Sequence, residues 1–317
     1  MYAPVSWDIA RPMRHTPRSL CAVVLLSLLP LVAGAAATKR CELDLIHSHL
    51  SYESVTVEGL VNTVPAPLVT REQFLAAIQP LGLDSNVQIL VALAQAEQSH
   101  ATQPRRDGGS YLQQHVMPVA LSALREWQYN PAVQADVSAA EIVMAALLHD
   151  VLEDDASLSV EIIAARFGAT VADTVSVLTK PVIKLEGFAK LRSKWFKNFI
   201  YVSRLGRSRP AALAIKMADR MNNIVSTLAL LQQNGVWGAA GEGQGYNSLS
   251  DDARTAVFYV LETHEFYEPL ALRFSYHYYL RLRFVLDRIR GELSAAGSWD
   301  AIESQLRQMI LQGPSAP

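Results

Sequence analysis

Ten residues, Ala145-Ala-Leu-Leu-His-Asp-Val-Leu-Glu-Asp154, constrain this chain more than any other feature. They set His149, Asp150, Glu153 and Asp154 into an otherwise apolar run. Read as one helix, His149 lies a turn below Glu153 and Asp150 a turn below Asp154, because residues four apart share a face. An imidazole and three carboxylates then crowd one patch whose flanks, Ala145, Ala146, Leu148 and Val151, favour burial. Carboxylates that close repel, and partial burial sharpens the repulsion unless a cation compensates. A divalent metal is the simplest compensation. A solvated charged helix face is the alternative, and the apolar neighbours argue against it.

The rest of the chain is patterned for helices. Val87–Glu97, Glu141–Leu148 and Ala211–Ala218 carry apolar residues at helical spacing, and strand-like alternation is scarce, so the expected class is all-α. With 317 residues, half of them hydrophobic, there is material for one large domain or two small ones. A net charge of −2 provides no overall basic field, which argues against a nucleic-acid partner.

The N-terminus has a different composition. Arg11, Arg14 and Arg18 precede the apolar run Leu20–Ala33, followed by small residues at Gly34–Ala37. This is the layout of a secretory leader, and the run is short of the ~20 apolar residues of a membrane span. A leader over 1–37 and a mature chain with no transmembrane span are therefore expected. With the leader functional the chain is exported to the periplasm; otherwise it stays in the cytoplasm. Cys41 would be the only mature cysteine, which leaves no internal disulfide.

Further along, a short helix is expected near Arg71–Ile78, a long one from about Asn86 to His100, and another over Tyr111–Glu126. Ser138 and Glu141 have the spacing of a capping box that opens the His149 helix, which is expected to run to about Asp155. Ser159–Phe167 should be a helix closed by Gly168. Nine Lys and Arg residues fall between Lys180 and Arg209, as either a solvated face or a rim that attracts polyphosphate. Gly235–Gly245 has the composition of a mobile loop, and Gly241–Gly245 lacks the Gly-Lys-Ser/Thr ending of a phosphate loop. Ser250–Arg290 should form long helices whose many aromatics line the core.

One His-Asp pair cannot hold a metal tightly. His115, in Tyr111-Leu-Gln-Gln-His-Val-Met-Pro, and Asp219, in Ile215-Lys-Met-Ala-Asp-Arg-Met-Asn-Asn223, are the best additional ligands. With His149 and Asp150 they offer two nitrogens and two oxygens, a set suited to Mn²⁺, Fe²⁺ or Zn²⁺ with positions left for water and substrate. Each has a simpler role open to it: a histidine satisfied within a core, or an Asp219–Arg220 ion pair.

His…His-Asp…Asp resembles the signature of the HD phosphohydrolase superfamily. Six segments, in order, are similar to motifs of the hydrolase domain of RelA/SpoT homologues: Gln103–His115, Ala145–Asp154, Phe167-Gly168, Leu178-Thr-Lys180, Lys216–Asn223 and Glu262–Ala271. The resemblance covers about residues 87–273. It implies a multi-helix HD-domain bundle over 86–290, preceded by an N-terminal extension at 38–85 and followed by a C-terminal helix and tail at 291–317. It implies a stand-alone small alarmone hydrolase that removes the 3′-pyrophosphate of (p)ppGpp with Mn²⁺. By position, His115, His149, Asp150 and Asp219 are the implied metal ligands, and Glu153 and Asp154 the pair that handles the attacking water. Arg105 is the implied guanine-stacking residue. Arg106 faces phosphates, and Asn223, Ser226 and Tyr267 contact the nucleotide. Pro118 stands two positions later than the proline that usually follows the first histidine, and Ser226 stands where threonine is usual. Two other readings stay open: an HD phosphatase acting on a different nucleotide, such as a nicotinamide dinucleotide phosphate or a deoxynucleotide, and an alarmone-binding module without turnover.

Overall fold

Helix starts in this chain are set by side-chain caps. A computed structural model describes residues 68–183, 189–239 and 241–312; the expected leader and residues 38–67 of the expected extension lie outside them. Thr70 and Gln73 form a capping box on α1 (Arg71–Ile78), and Asn86 caps α2 (Val87–Ser99) by accepting from the Ile89 N–H. Helix α3 (Met117–Tyr129) follows a π-helical turn at Leu112–Val116, and Asn130 caps α4 (Pro131–Asp136). Ser138 and Glu141 form the expected capping box on α5 (Ala139–Leu147). These caps satisfy N–H groups that a helix cannot satisfy internally.

Helix α5 does not run through to Asp155. It ends at Leu147, and a separate turn, α6 (Val151–Asp154), begins after Asp150. His149 Nδ1 donates to Ala146 O at 2.8 Å, the carbonyl that a continuous helix would offer to the Asp150 N–H. The break turns His149 and Asp150, which an unbroken helix would splay by about 100°, toward one point.

Ser159 caps α7 (Val160–Phe167), and Gly168, at φ 92°, joins it to α8 (Ala169–Leu178). Helix α9 (Lys190–Leu205) carries much of the basic stretch. The 25-residue α10 (Pro210–Asn234) follows, opened by a proline whose missing N–H costs nothing there. Then come α11 (Asp251–Glu262), a second π-helical turn at Thr263–Tyr267, α12 (Glu268–Phe274), α13 (Tyr276–Leu293) and α14 (Trp299–Gln312). Among the described residues there is no β-strand, only isolated bridges at Pro104–Ser110 and Trp237–Leu249. The chain is all-α, as the HD-type bundle requires. No helix among these residues is long and apolar enough to cross a membrane.

Helix α10 is the axis of the bundle. It packs against α3, α11 and α13, and α5 packs against α2, α3 and α8. Ile215, Met217, Ile224 and Leu228 are buried on it, as are Leu93 on α2, Ala120 on α3 and Leu147 on α5. The same core takes in Phe74 and Ile78 of α1 and Ile302, Leu306 and Ile310 of α14. Of the expected aromatic stripe, Phe258, Phe266, Tyr267 and Tyr278 are buried, while Tyr259, Phe274, Tyr276 and Tyr279 are half-buried. The end of the glycine-rich loop is anchored: Gly245 N donates to Ala296 O, and Tyr246 N donates to Gln305 Oε1. Gly245 has φ 81°, the left-handed region that favours glycine, and a Cβ there would press on the Gln305 amide that accepts from Tyr246 N.

Ser138→Ala removes the cap of the helix that delivers His149. Its expected cost is about 1 kcal/mol of stability, read as a lower urea midpoint at unchanged slope.

Candidate metal centre and cavity

Four side chains from three parts of the chain converge at the α5–α6 break. His115 comes from the first π turn, His149 and Asp150 from the break, and Asp219 from the middle of α10. His115, His149 and Asp150 each place a ligand atom within 4.8 Å of the others. The Nε2 atoms of the two histidines are 3.2 Å apart. Asp150 Oδ2 lies 3.1 Å from His149 Nε2 and 3.5 Å from His115 Nε2, and Asp219 Oδ1 lies 3.4 Å from His115 Nε2. Donors bound to one transition metal at ~2.0–2.2 Å are separated by about 3.0–3.5 Å. His115, His149 and Asp150 fit such an ion, and Asp219 approaches the group through His115.

The tautomers point the same way. His149 Nδ1 donates to Ala146 O, which can only accept. His115 Nδ1 is 2.7 Å from Asn222 Oδ1, and Asn222 Nδ2 donates to Gln114 O at 3.0 Å. A backbone carbonyl accepts only, so the Asn222 amide has one orientation and its oxygen faces His115. Pro118 explains why Gln114 O is available: it has no N–H to offer the carbonyl four residues back. The displaced proline and the π turn therefore keep His115 in the cluster. Both Nε2 atoms are left to face each other and the carboxylates, the arrangement a cation requires.

The charges are tightly coupled. Burial disfavours a charged Asp150, yet His149 and His115 hold it well below the usual carboxylate range. Burial also opposes a charge on His149, but Asp150, Asp219 and the Ala146 carbonyl outweigh it and raise its pKa to about 9. Burial lowers that of His115. Asp219 is lowered despite its burial, chiefly by Lys216, whose Nζ donates to Oδ2 at 2.5 Å. Asn223 Nδ2 donates to the other oxygen of Asp219. Tyr111 donates its O–H to Asp150 Oδ2 at 2.5 Å, and burial pushes its phenol far above the ordinary range, so it remains a donor.

Glu153 and Asp154 take partners outside the histidine cluster. The interruption unstacks His149 from Glu153, whereas Asp154 N still donates to Asp150 O at 3.2 Å and keeps Asp154 one turn above Asp150. Glu153 accepts from Lys180 N at 2.8 Å and Lys180 Nζ at 3.2 Å. Asp154 turns toward His100, and burial, followed by the Asp150 charge, raises its pKa. The alternative of a simple Asp219–Arg220 ion pair does not form. Arg220 pairs with Glu262 at 2.6 Å, donates to Thr263 Oγ1 and Tyr259 O, and lies over the rings of Tyr259 and Tyr267.

A cavity of about 660 Å³ opens beside the cluster. Asp150 and Asp219 lie on its wall, as do Arg105, Lys180, Lys190, Lys194, Lys197, Lys216 and Arg220; Glu262 is the third carboxylate there. Much of the basic stretch thus faces an interior. Tyr201 O–H donates to Leu178 O, and Arg204 donates to Val177 O and Thr179 O, which ties α9 to the segment before Lys180. Lys194 lies 4.2 Å from the centre of the Phe258 ring, and burial lowers its pKa. A neighbouring cavity of about 140 Å³ is lined by Arg105, Arg106, Tyr111, Asn223 and Ser226 among others. Arg105 lies over the Tyr111 ring and donates to Asn223 and Ser226. Arg106 pairs with Asp252 at 2.8 Å on that side and does not line the larger cavity. Tyr267 does line it.

Sequence reasoning passed over Tyr111, Asn222, Lys216 and His100 as site residues. The first three lie inside the quoted motifs, and the signal was their polarity in otherwise buried segments.

His149→Ala and Asp219→Ala should each abolish bound Mn²⁺, measured by metal analysis of the dialysed protein. Asn222→Leu should weaken metal affinity about 10–100-fold. His149 must lose its proton to ligate, so apparent affinity should rise with pH, about tenfold per unit, up to about 9, as titration calorimetry would read.

Compared with protein-family models, the chain matches none. It is similar to two curated plant proteins from Arabidopsis thaliana. To "Probable GTP diphosphokinase RSH3, chloroplastic" it is 31% identical over 147 residues, 45% of this chain and 19% of that protein. To "Probable GTP diphosphokinase RSH2, chloroplastic" it is 26% identical over 243 residues, 73% of this chain and 31% of that protein. The chain thus spans between a fifth and a third of the relatives' length. A solved chain described as "A metazoan ortholog of SpoT hydrolyzes ppGpp and plays a role in starvation responses" superposes on 71% of this chain and 98% of its own, at 18% identity and a TM-score of 0.35. Its six ordered motifs and the histidine–aspartate cluster they build resemble those of RelA/SpoT homologues, and over part of its length the chain is similar in sequence to plant RSH proteins.

Proposed function

We propose that this chain hydrolyses the 3′-pyrophosphate of (p)ppGpp, releasing GDP or GTP and pyrophosphate, with Mn²⁺ held by His115, His149, Asp150 and Asp219. The observation that carries the reading is the pair of facing Nε2 atoms with two carboxylates, set on the wall of a cavity rich in lysine and arginine. The relatives' name concerns a guanine nucleotide and a diphosphate group, the two chemical parts of this substrate.

Bound at these residues, a divalent metal supplies Lewis acidity at a phosphate oxygen and lowers the pKa of a coordinated water toward ~7. The chain's own residues do the rest. Lys190, Lys194 and Lys197 face the cavity and hold the polyphosphate charge. Lys194, partly desolvated, gains more from a phosphate than an exposed lysine would. Arg105, pressed on Tyr111 and fixed by Asn223 and Ser226, presents a planar cation for stacking on guanine. Tyr267, packed against Arg220, forms a rigid wall for the nucleotide. Glu153 and Asp154 flank the cluster as acceptors for the proton of the attacking water. The raised pKa of Asp154 brings it closer to the range useful to a general base.

The purified chain with Mn²⁺ should release pyrophosphate from ppGpp and should stop when a chelator is added. No release from folded, metal-loaded protein would overturn the reading. Glu153→Gln should retain the metal and lose about 10²–10⁴-fold in kcat, and an unchanged rate would remove Glu153 from the proton transfer.

A further inference from the structure

One buried imidazole near the site has no part in the scheme above. His100, at the C-terminal end of α2, is 3% exposed, and its ring lies 4.9 Å from that of Tyr111. Its Nδ1 is 2.7 Å from Gln103 Oε1 and 3.6 Å from Asp154 Oδ2, and its Nε2 has no hydrogen-bond partner among the described residues. Gln103 also lies close enough to the Asp154 carboxylate to favour its charged form. A carboxylate needs a donor, so Gln103 turns its Nε2 to Asp154 and its Oε1 to His100, and His100 Nδ1 must carry the proton between them. The backbone supports this order. Gln103 N donates to His100 O at 3.1 Å, closing a turn that brings both side chains together. Ser99 Oγ donates to Asp155 Oδ2 at 2.8 Å, which joins the end of α2 to the end of α6.

A four-residue helix such as α6 has few internal bonds with which to hold a carboxylate still. The relay from His100 through Gln103 supplies a fixed donor from outside it. A buried histidine whose Nε2 is unpartnered is costly for stability alone, since an apolar residue would fill the same space without that penalty.

We infer that His100 and Gln103 are a positioning pair that orients the Asp154 carboxylate for the hydrolytic step. The inference rests on the proposed hydrolase reading and adds to it residues that touch neither metal nor nucleotide.

The test compares the full chain carrying His100→Leu, His100→Asn or Gln103→Leu with wild type, in Mn²⁺ and ppGpp, after checking metal content and melting. His100→Leu and Gln103→Leu should lower kcat about 10–100-fold with KM within about twofold and metal content unchanged. His100→Asn keeps an N–H donor near the Nδ1 position and should restore most of kcat. Folded, metal-loaded His100→Leu with the wild-type kcat would overturn the inference. So would His100→Asn as slow as His100→Leu, or a change confined to KM. Should wild type itself be inactive, the hydrolase reading fails, and the pair is decided by nuclear magnetic resonance. A His100 Nδ1–H signal that is protected in wild type and lost in Gln103→Leu would support the pair; its absence in wild type would overturn it.

Discussion

Two nitrogen lone pairs held face to face are the constraint on which the rest of this structure depends. His115 and His149 bring their Nε2 atoms to 3.2 Å, and each is oriented by a bond at the opposite ring nitrogen. Two such atoms repel unless a proton or a metal lies between them. Holding them together requires rigid backbone at both sources. The α5–α6 break supplies one, through a ring nitrogen that takes over a helix carbonyl. The π turn before α3 supplies the other, through a carbonyl that Pro118 leaves unclaimed and Asn222 accepts as its anchor. The local irregularities are thus the means by which a helical bundle brings His115, His149, Asp150 and Asp219 together.

Helix α10 carries this constraint into the cavity. Asp219, Asn223 and Ser226 recur at helical spacing and line one face. Asp219 reaches the histidines, and Asn223 touches both Asp219 and Arg105. Ser226 closes on Arg105. One face of one helix therefore sets the distance between the metal end of the site and its arginine end. Arg220 and Lys216, on the same helix, each take a separate carboxylate, Glu262 and Asp219. Neighbours in sequence thereby serve different walls. Adjacent opposite charges on a helix face different directions, which is why Asp219 and Arg220 do not pair with each other.

What could be read from the sequence divides along the same physical line. Helices with their own caps and periodic apolar faces were legible almost residue by residue: Arg71–Ile78, the Asn86-capped α2, the Ser138–Glu141 box, and the Ser159 start with its Gly168 stop. The residues of the metal cluster were legible because their chemistry is rare in apolar surroundings. The break at Leu148–Asp150 was not, for no glycine or proline marks it; it depends on a hydrogen bond within the folded site. Each π turn is followed by a proline, Pro118 or Pro269, but a proline near a helix start does not by itself distinguish a π turn from an ordinary first turn. The destination of Glu153, at Lys180, was not legible because the four-residue rule applies only to an unbroken helix, and the break separates it from His149. Tyr111, Asn222 and His100 act through tertiary hydrogen bonds, which spacing along the chain does not encode.

The distribution of charge in the cavity argues for an oriented substrate. Asp150 and Asp219 stand where His115 and His149 converge, while Lys190, Lys194 and Lys197 of α9 line the same cavity. A polyanion entering without a metal meets carboxylates at one end and is repelled there. With a divalent cation bound, the same end turns attractive and the lysines hold the charge. Affinity for a polyphosphate is then tied to metal occupancy through ordinary Coulomb forces, with no conformational switch required. Arg105 adds direction, because its guanidinium is fixed by Asn223 and Ser226 and backed by Tyr111. A molecule with a flat base at one end and a pyrophosphate at the other satisfies both ends at once, whereas a free polyphosphate leaves the Arg105 side without a stacking partner.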